Sequence, residues 1–202
     1  MSEGGARPFP LAVLASGEGT NLQALLDSVH GHEAEVVAVA SDRPGARALE
    51  RARAAGVATA TFPAADFPDR AARDAAMAAW LVDRGARAAV LAGYMALLAP
   101  GFLARFPAGV LNVHPSLLPA FPGLHAVEQA VEHGVHVFGV TVHFVDDGVD
   151  SGPIVAQRAV ELPGATDPAQ VLAALRPLEH ALLPEAVRAL VVGALSAPPA
   201  TG

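Results

Sequence analysis

Residues 11–29 read LAVLASGEGTNLQALLDSV, and the order of residue types in that stretch decides the fold class. Residues 11–15 form an unbroken apolar run. SGEGTN, residues 16–21, is a glycine-rich turn, and residues 22–29 space their apolar side chains as a helix does. A short buried strand, a glycine turn and a helix open a mononucleotide-binding α/β unit.

The alternation continues downstream. EVVAVA (35–40) reads as a second strand, residues 46–55 as a helix ended by Gly56, and VATATF (57–62) as a third strand. PAADFPD (63–69) reads as a loop. Residues 70–84 form a long helix stopped by Gly85, and residues 88–92 a fourth strand whose lack of alternation means burial on both faces. Residues 110–114 read as a strand running into PSLLPAFPG, 125–133 as a helix, and 137–144 and 154–160 as strands around the loop VDDGVDSGP. Residues 168–192 keep a helical period interrupted by Pro177 and Pro184, which predicts a kinked helix or two helices. Residues 1–10 and 195–202 read as disordered tails. The whole pattern predicts one α/β domain over residues 1–202, with a mostly parallel, Rossmann-like central sheet covered by helices on both faces. Ligands of such sheets bind beyond the carboxyl ends of the strands.

Composition removes several classes of function. A net charge of −7 leaves no positive field for nucleic acid. The absence of cysteine excludes disulfides, thiolate nucleophiles and cysteine-ligated zinc. No apolar run reaches the roughly 18 residues of a membrane span, and the first ten residues lack the pattern of a secretory signal. A cytoplasmic protein acting on small molecules, as a monomer or homodimer, is the expectation.

Three clusters carry chemistry, and each follows a strand. In the glycine turn, Gly17 and Gly19 let backbone approach a ligand, the helix amides point at an anion, and Thr20 and Asn21 add donors. The same residues also describe a tight turn capped by Asn21. Leu22 stands where the third glycine of a dinucleotide fingerprint would fall, so a phosphate monoester fits better than NAD and an NAD oxidoreductase does not. In NVHPSLLP (112–119), Asn112 and His114 alternate along a strand and project from one face. They read as an oxyanion donor with an acid/base group for acyl transfer, or as a satisfied polar pair at a strand end. In DDGVDSGP (146–153) the EF-hand spacing is missing and no metal is expected. That loop is either a solvated turn or a source of one inward carboxylate for the histidine. His143 reads equally as a core or a site residue.

NVHPSLLPAFPG, preceded by AGYM (92–95) and followed by the DxxDSGP pattern, resembles the 10-formyltetrahydrofolate transferase and hydrolase superfamily. With SGEGTN at the start and LEHALLP (178–184) near the end, the chain resembles the phosphoribosylglycinamide formyltransferase family. The resemblance implies a catalytic trio of Asn112, His114 and Asp150 and a phosphate turn of Gly17, Gly19, Thr20 and Asn21. It implies that Glu179 holds the ribose hydroxyls, with Arg176 one turn earlier on the substrate side. Folate contacts fall to Arg70 near the glutamate tail, to Met95, Ala96, Leu97 and Leu98 through their backbone, and to Asn112. A loop of Asp146, Asp147, Gly148, Val149 and Asp150 is expected to close over the pteridine. The cosubstrate implied is 10-formyltetrahydrofolate. Glu18 and Ala96 depart from the pattern; Glu18 has either to point away from a phosphate or to weaken its binding. Methionyl-tRNA formyltransferase and formyltetrahydrofolate hydrolase share HPSLLP but carry further domains, for which this chain has no room. A non-catalytic nucleotide-binding module leaves the trio unexplained.

Overall fold

Leu11, Val13 and Ala15 face one apolar core while Ala12 and Leu14 face another, because successive side chains of a strand point to opposite sides. All five are fully buried. That strand, β1 (Phe9–Leu14), therefore lies inside a sheet covered on both faces, as its uninterrupted apolar run requires. The computed structural model describes residues 7–193 and 195. Seven strands are ordered β3-β2-β1-β4-β5-β6-β7, with β2 Ala34–Ser41, β3 Ala58–Thr61, β4 Ala88–Leu91, β5 Val110–His114, β6 Val137–Phe144 and β7 Ile154–Glu161. The first five in that order pair in parallel; β6 and β7 pair antiparallel.

Helices α1 (Thr20–Ser28), α2 (Arg47–Ala54), α5 (Ala126–Glu132) and α6 (Pro168–Val191) cover one face, through side chains such as Leu25, Leu49, Val127 and Leu175. Helix α3 (Arg70–Asp83) and the single turn α4 (Pro100–Leu103) cover the other with Met77, Leu81 and Phe102. Asp69 caps α3 by accepting from the Ala72 N–H at 2.8 Å. Such a cap contributes about 1 kcal/mol.

Two expectations at the chain ends are corrected. Phe9 and Pro10 belong to β1: the Phe9 N–H donates to Glu33, and the Pro10 carbonyl accepts from Arg87. Pro10 disguised the strand, because proline cannot donate to a ladder, yet here only its carbonyl is used. Residues 1–6, 194 and 196–202 lie outside the described residues, while Leu195 packs against the first core. Residues 168–191 form one helical element of 24 residues with Pro177 and Pro184 inside it, not two helices. The 63–69 loop contains one 3-10 turn, Ala64–Asp66.

The chain leaves β1 toward β2 and β3, then returns to add β4 on the other side of β1. Loops after β1 and β4 thus diverge at a switch point and leave a crevice above the sheet. Residues 17–21, 95–98 and the His114 end of β5 lie in or beside loops at this edge. The 146–150 loop leaves antiparallel β6 beside the start of β5, and Asp150 reaches back to Asn112 and His114. Among the described residues, no helix is long and apolar enough to cross a membrane.

Leu81 is fully buried under the second core. Leu81→Ala is expected to destabilise the fold by about 2–5 kcal/mol in denaturant unfolding. A loss below about 1 kcal/mol would show that α3 is not packed as described.

Candidate active site

The pairing register of β5 with β6 sets Asn112 opposite His143 and His114 opposite Thr141. Two polar pairs, each spaced by one residue on its strand, therefore meet on one face of the sheet. Asp150 enters from the loop after β6 and touches three of the four residues. Its Oδ2 lies 3.3 Å from His114 Nδ1, and its Oδ1 accepts from Asn112 Nδ2 at 3.3 Å. The sequence left open whether His114 and Asp150 meet; they do. Oδ2 also accepts from the Gly123 N–H at 2.7 Å, and His143 Nε2 lies 3.5 Å from Oδ1.

Burial alone would raise the pKa of Asp150. The hydrogen bonds from His143 and the Gly123 amide, with the charges of His114 and His143, outweigh it and hold the carboxyl down to about 2. His114 is 5% exposed, and its Nε2–H donates to the Phe121 carbonyl at 2.9 Å. Both ring nitrogens of His114 thus face oxygen acceptors, a setting that the doubly protonated ring satisfies. Phe121 and Asp150, which flank it, are two of the three non-glycine residues with positive φ among those described. Such backbone costs about 1–3 kcal/mol per residue and persists only where the surroundings impose it.

His143 has two neighbours within reach of its Nε2, Asn112 and Asp150. Its Nδ1–H donates to the Phe144 carbonyl at 2.8 Å. In the neutral ring Nε2 accepts from Asn112 Nδ2 at 3.1 Å; in the charged ring it donates toward Asp150. The hydrogens of the Asn112 amide are thus directed within the cluster. Thr141 fixes the loop that follows His114: its hydroxyl donates to the Ser116 carbonyl at 2.7 Å and accepts from the Leu118 N–H at 3.1 Å. Thr141 was missed from the sequence, although TVH in β6 carries the same alternation as NVH in β5.

The glycine turn is built differently from the capped turn that was the alternative. Gly19 is the N-cap of α1, at φ 71° and without a side-chain cap. A Cβ there would meet Ala48 Cα at 2.6 Å, so only glycine fits against α2. Asn21 turns away from the cap and donates to Glu179 Oε2 at 3.0 Å. That hydrogen bond ties the turn to the last helix. Burial raises the pKa of Glu179, against the Asn21 hydrogen bond and the nearby charge of Arg176. Glu18 lines the crevice beside the turn, and its carboxylate pairs with Arg47 at 3.2 Å. Arg43, which the sequence did not single out, lines the same crevice with Gly17, Gly19, Asn21 and Met95.

Ser16 joins this turn to the segment after β4. Its hydroxyl donates to Asp42 at 2.6 Å and accepts from the Met95 N–H at 2.9 Å. Met95 and Leu97 are more than half exposed, and Ala96 and Leu97 line a second cavity with Arg70 and Arg73. Arg70 stands exposed at the first position of α3 and Arg176 exposed on α6. In the 146–150 loop, Asp146 accepts from the Gly148 N–H and the Ser151 hydroxyl, while Asp147 and Val149 are exposed beside the cluster. Among the described residues, no group of three or more His, Asp or Glu side chains is arranged to hold a metal ion.

A family model described as formyl transferase matches residues 10–187. The phosphoribosylglycinamide formyltransferase of Mycobacterium tuberculosis (strain ATCC 25618 / H37Rv) is 46% identical over 184 residues, covering 91% of this chain and 85% of that protein. The trifunctional purine biosynthetic protein adenosine-3 of Drosophila pseudoobscura pseudoobscura is 40% identical over 92% of this chain, which spans 14% of that longer protein. The crystal structure of glycinamide ribonucleotide transformylase 1 from Symbiobacterium toebii is similar with a TM-score of 0.91 and 46% identity, covering 95% of this chain and 92% of that one.

With its folded pKa near 2 against an ordinary 3.8, Asp150 adds stability that is present above about pH 5 and lost as pH falls through 2. Asp150→Asn should unfold more easily than the wild type at pH 7, by roughly 1–3 kcal/mol, with a smaller gap at pH 3. A gap unchanged between the two pH values would contradict the assigned carboxylate environment.

Proposed function

Because the chain belongs to the formyl transferase family, we propose that it transfers the formyl group of 10-formyltetrahydrofolate to the amine of glycinamide ribonucleotide, a step of purine biosynthesis, in the cytoplasm. The observation that carries this reading is the convergence of Asn112, His114 and Asp150 within 3.3 Å contacts at the switch-point edge of the sheet. Relatives of both the short and the trifunctional kind, named for this activity or for purine biosynthesis, support the choice of substrate.

The ribonucleotide lies along the first crevice. Its phosphate takes the amides of Gly17, Gly19, Thr20 and Asn21 at the open start of α1. Glu179 accepts from the ribose hydroxyls, and Arg176 adds positive charge on the same side. The folate lies along residues 95–98, with Ala96 and Leu98 offering backbone groups and Arg70 facing the carboxylates of its tail. The 146–150 loop covers the pteridine with Asp147, Gly148 and Val149.

The amine nitrogen attacks the formyl carbon, and a new C–N bond forms as the carbonyl oxygen becomes an oxyanion. Asn112 redirects an amide hydrogen to that oxygen, and the His114 imidazolium places its charge beside it. Removing a donor of this type typically costs about 3 kcal/mol of barrier. The bond from the formyl carbon to N10 then breaks. The proton lost by the attacking nitrogen reaches N10 through the His114–Asp150 pair, so no proton is left over.

Incubation with both substrates is expected to yield deformylated folate and formylated ribonucleotide in equal amounts. Folate deformylation at the same rate without ribonucleotide would mark a hydrolase instead. Glu179→Ala should raise the KM for ribonucleotide by roughly 10- to 150-fold, the equivalent of about 1.5–3 kcal/mol for hydrogen bonds to a charged group. The folate KM should stay within about twofold. An unchanged ribonucleotide KM would remove Glu179 from the site.

A further inference from the structure

Arg73 and Asp74 form a buried ion pair on α3, outside the residues assigned so far. They are 5% and 0% exposed, and Arg73 Nε and Nη2 both lie 2.8 Å from Asp74 Oδ1. Arg and Asp are almost never so deeply buried unless paired. Replacing such a pair by apolar side chains is often neutral or stabilising, so stability gives little reason for its presence. The groups the pair reaches beyond itself suggest another. Arg73 Nη2 donates to the Leu97 carbonyl at 3.1 Å, and Asp74 Oδ2 accepts from the Ala99 N–H at 2.6 Å.

Both targets lie in the segment that follows β4, whose other end is held by the Ser16 hydroxyl on the Met95 N–H. Between these fixings, the N–H and C=O groups of Ala96 and Leu98 and the N–H of Leu97 have no hydrogen-bond partner among the described residues. Backbone groups left unpaired in a crevice wall are available to a ligand only if something holds their direction. Two charged side chains, one donating to a carbonyl and one accepting from an amide two residues on, fix both the position and the rotation of that backbone. A helix face of apolar residues would fix neither.

We infer that the Arg73–Asp74 ion pair is a positioning device for folate recognition: it clamps the 97–99 backbone so that the unpaired groups of residues 96–98 face the pteridine. The inference rests on the formyl-transfer reading for the identity of the ligand. Arg73 borders the cavity that Arg70, Ala96 and Leu97 line, but both charges are spent on each other and on the 97–99 backbone, and their effect falls on one substrate alone.

The test is the double variant Arg73→Met/Asp74→Leu, which removes both charges together and leaves none buried without a partner. Circular dichroism and thermal melting establish its folding. The expected result is a KM for 10-formyltetrahydrofolate raised at least tenfold, with the KM for ribonucleotide within twofold. Titration with tetrahydrofolate, followed by protein fluorescence, should show the same loss of affinity. Should the double variant fail to fold, Asp74→Asn carries the test. It keeps an acceptor for the Ala99 N–H but not the charge, and should raise the folate KM at least threefold with the ribonucleotide KM unchanged. Equal effects on both substrates, or on neither, in a folded variant would overturn the positioning role. A wild-type protein that neither binds tetrahydrofolate nor transfers a formyl group would instead overturn the reading on which it rests.

Discussion

A slip of one residue between β5 and β6 would turn the side chains of one strand to the other face of the sheet. The antiparallel register that places Asn112 against His143 and His114 against Thr141 is therefore the constraint on which the site depends. It is secured from both sides. Val113 and Leu111 bury into the first core along with Val140 and Val142 of the partner strand. Thr141 ties the register to the 116–118 loop by hydrogen bonds at 2.7 and 3.1 Å. Gln157 of β7 adds a third tie, donating to both the Leu118 carbonyl and the Thr141 hydroxyl at 2.9 Å.

On that frame, Asp150 is the one anion among potential cations. Its left-handed backbone turns the carboxylate inward, and the loop is drawn tight behind it: a side chain on Gly152 would run into the Phe144 carbonyl. The chain as a whole is acidic, so the positive charge that the proposed transfer calls for cannot come from its overall field. The local setting is two histidines against one carboxylate, with a backbone carbonyl on the far side of His114. In the proposed reading, the crevice beside the glycine turn uses the same economy, taking its positive end from helix α1 and from Arg43 in its wall.

Much of this was legible in the sequence, and the remainder was hidden for physical reasons. The order of strands and helices followed from apolar period and glycine stops, since parallel strands buried on both faces leave a clear record. Asn112 and His114 were legible as a same-face pair because alternation is a local rule. Their meeting with Asp150 was not, because it depends on a positive φ at a residue other than glycine and on pairing across 38 positions. The family resemblance supplied what spacing could not. Phe9 and Pro10 were assigned to a tail because proline argues against a strand, whereas the ladder begins there with its missing donor unused. Arg73 and Asp74 were passed over because adjacent opposite charges on a helix normally mark a solvated face. Here that face is covered by the 95–99 segment.

The central claim is that Asn112, His114 and Asp150 act as one unit. Groups that act as a unit show strongly non-additive losses when removed together. A double-mutant cycle on kcat with Asn112→Ala and Asp150→Asn tests this most directly. The account predicts that the double variant is within about threefold of the worse single variant. Losses that multiply, so that the double variant carries the product of the two single defects, would contradict it.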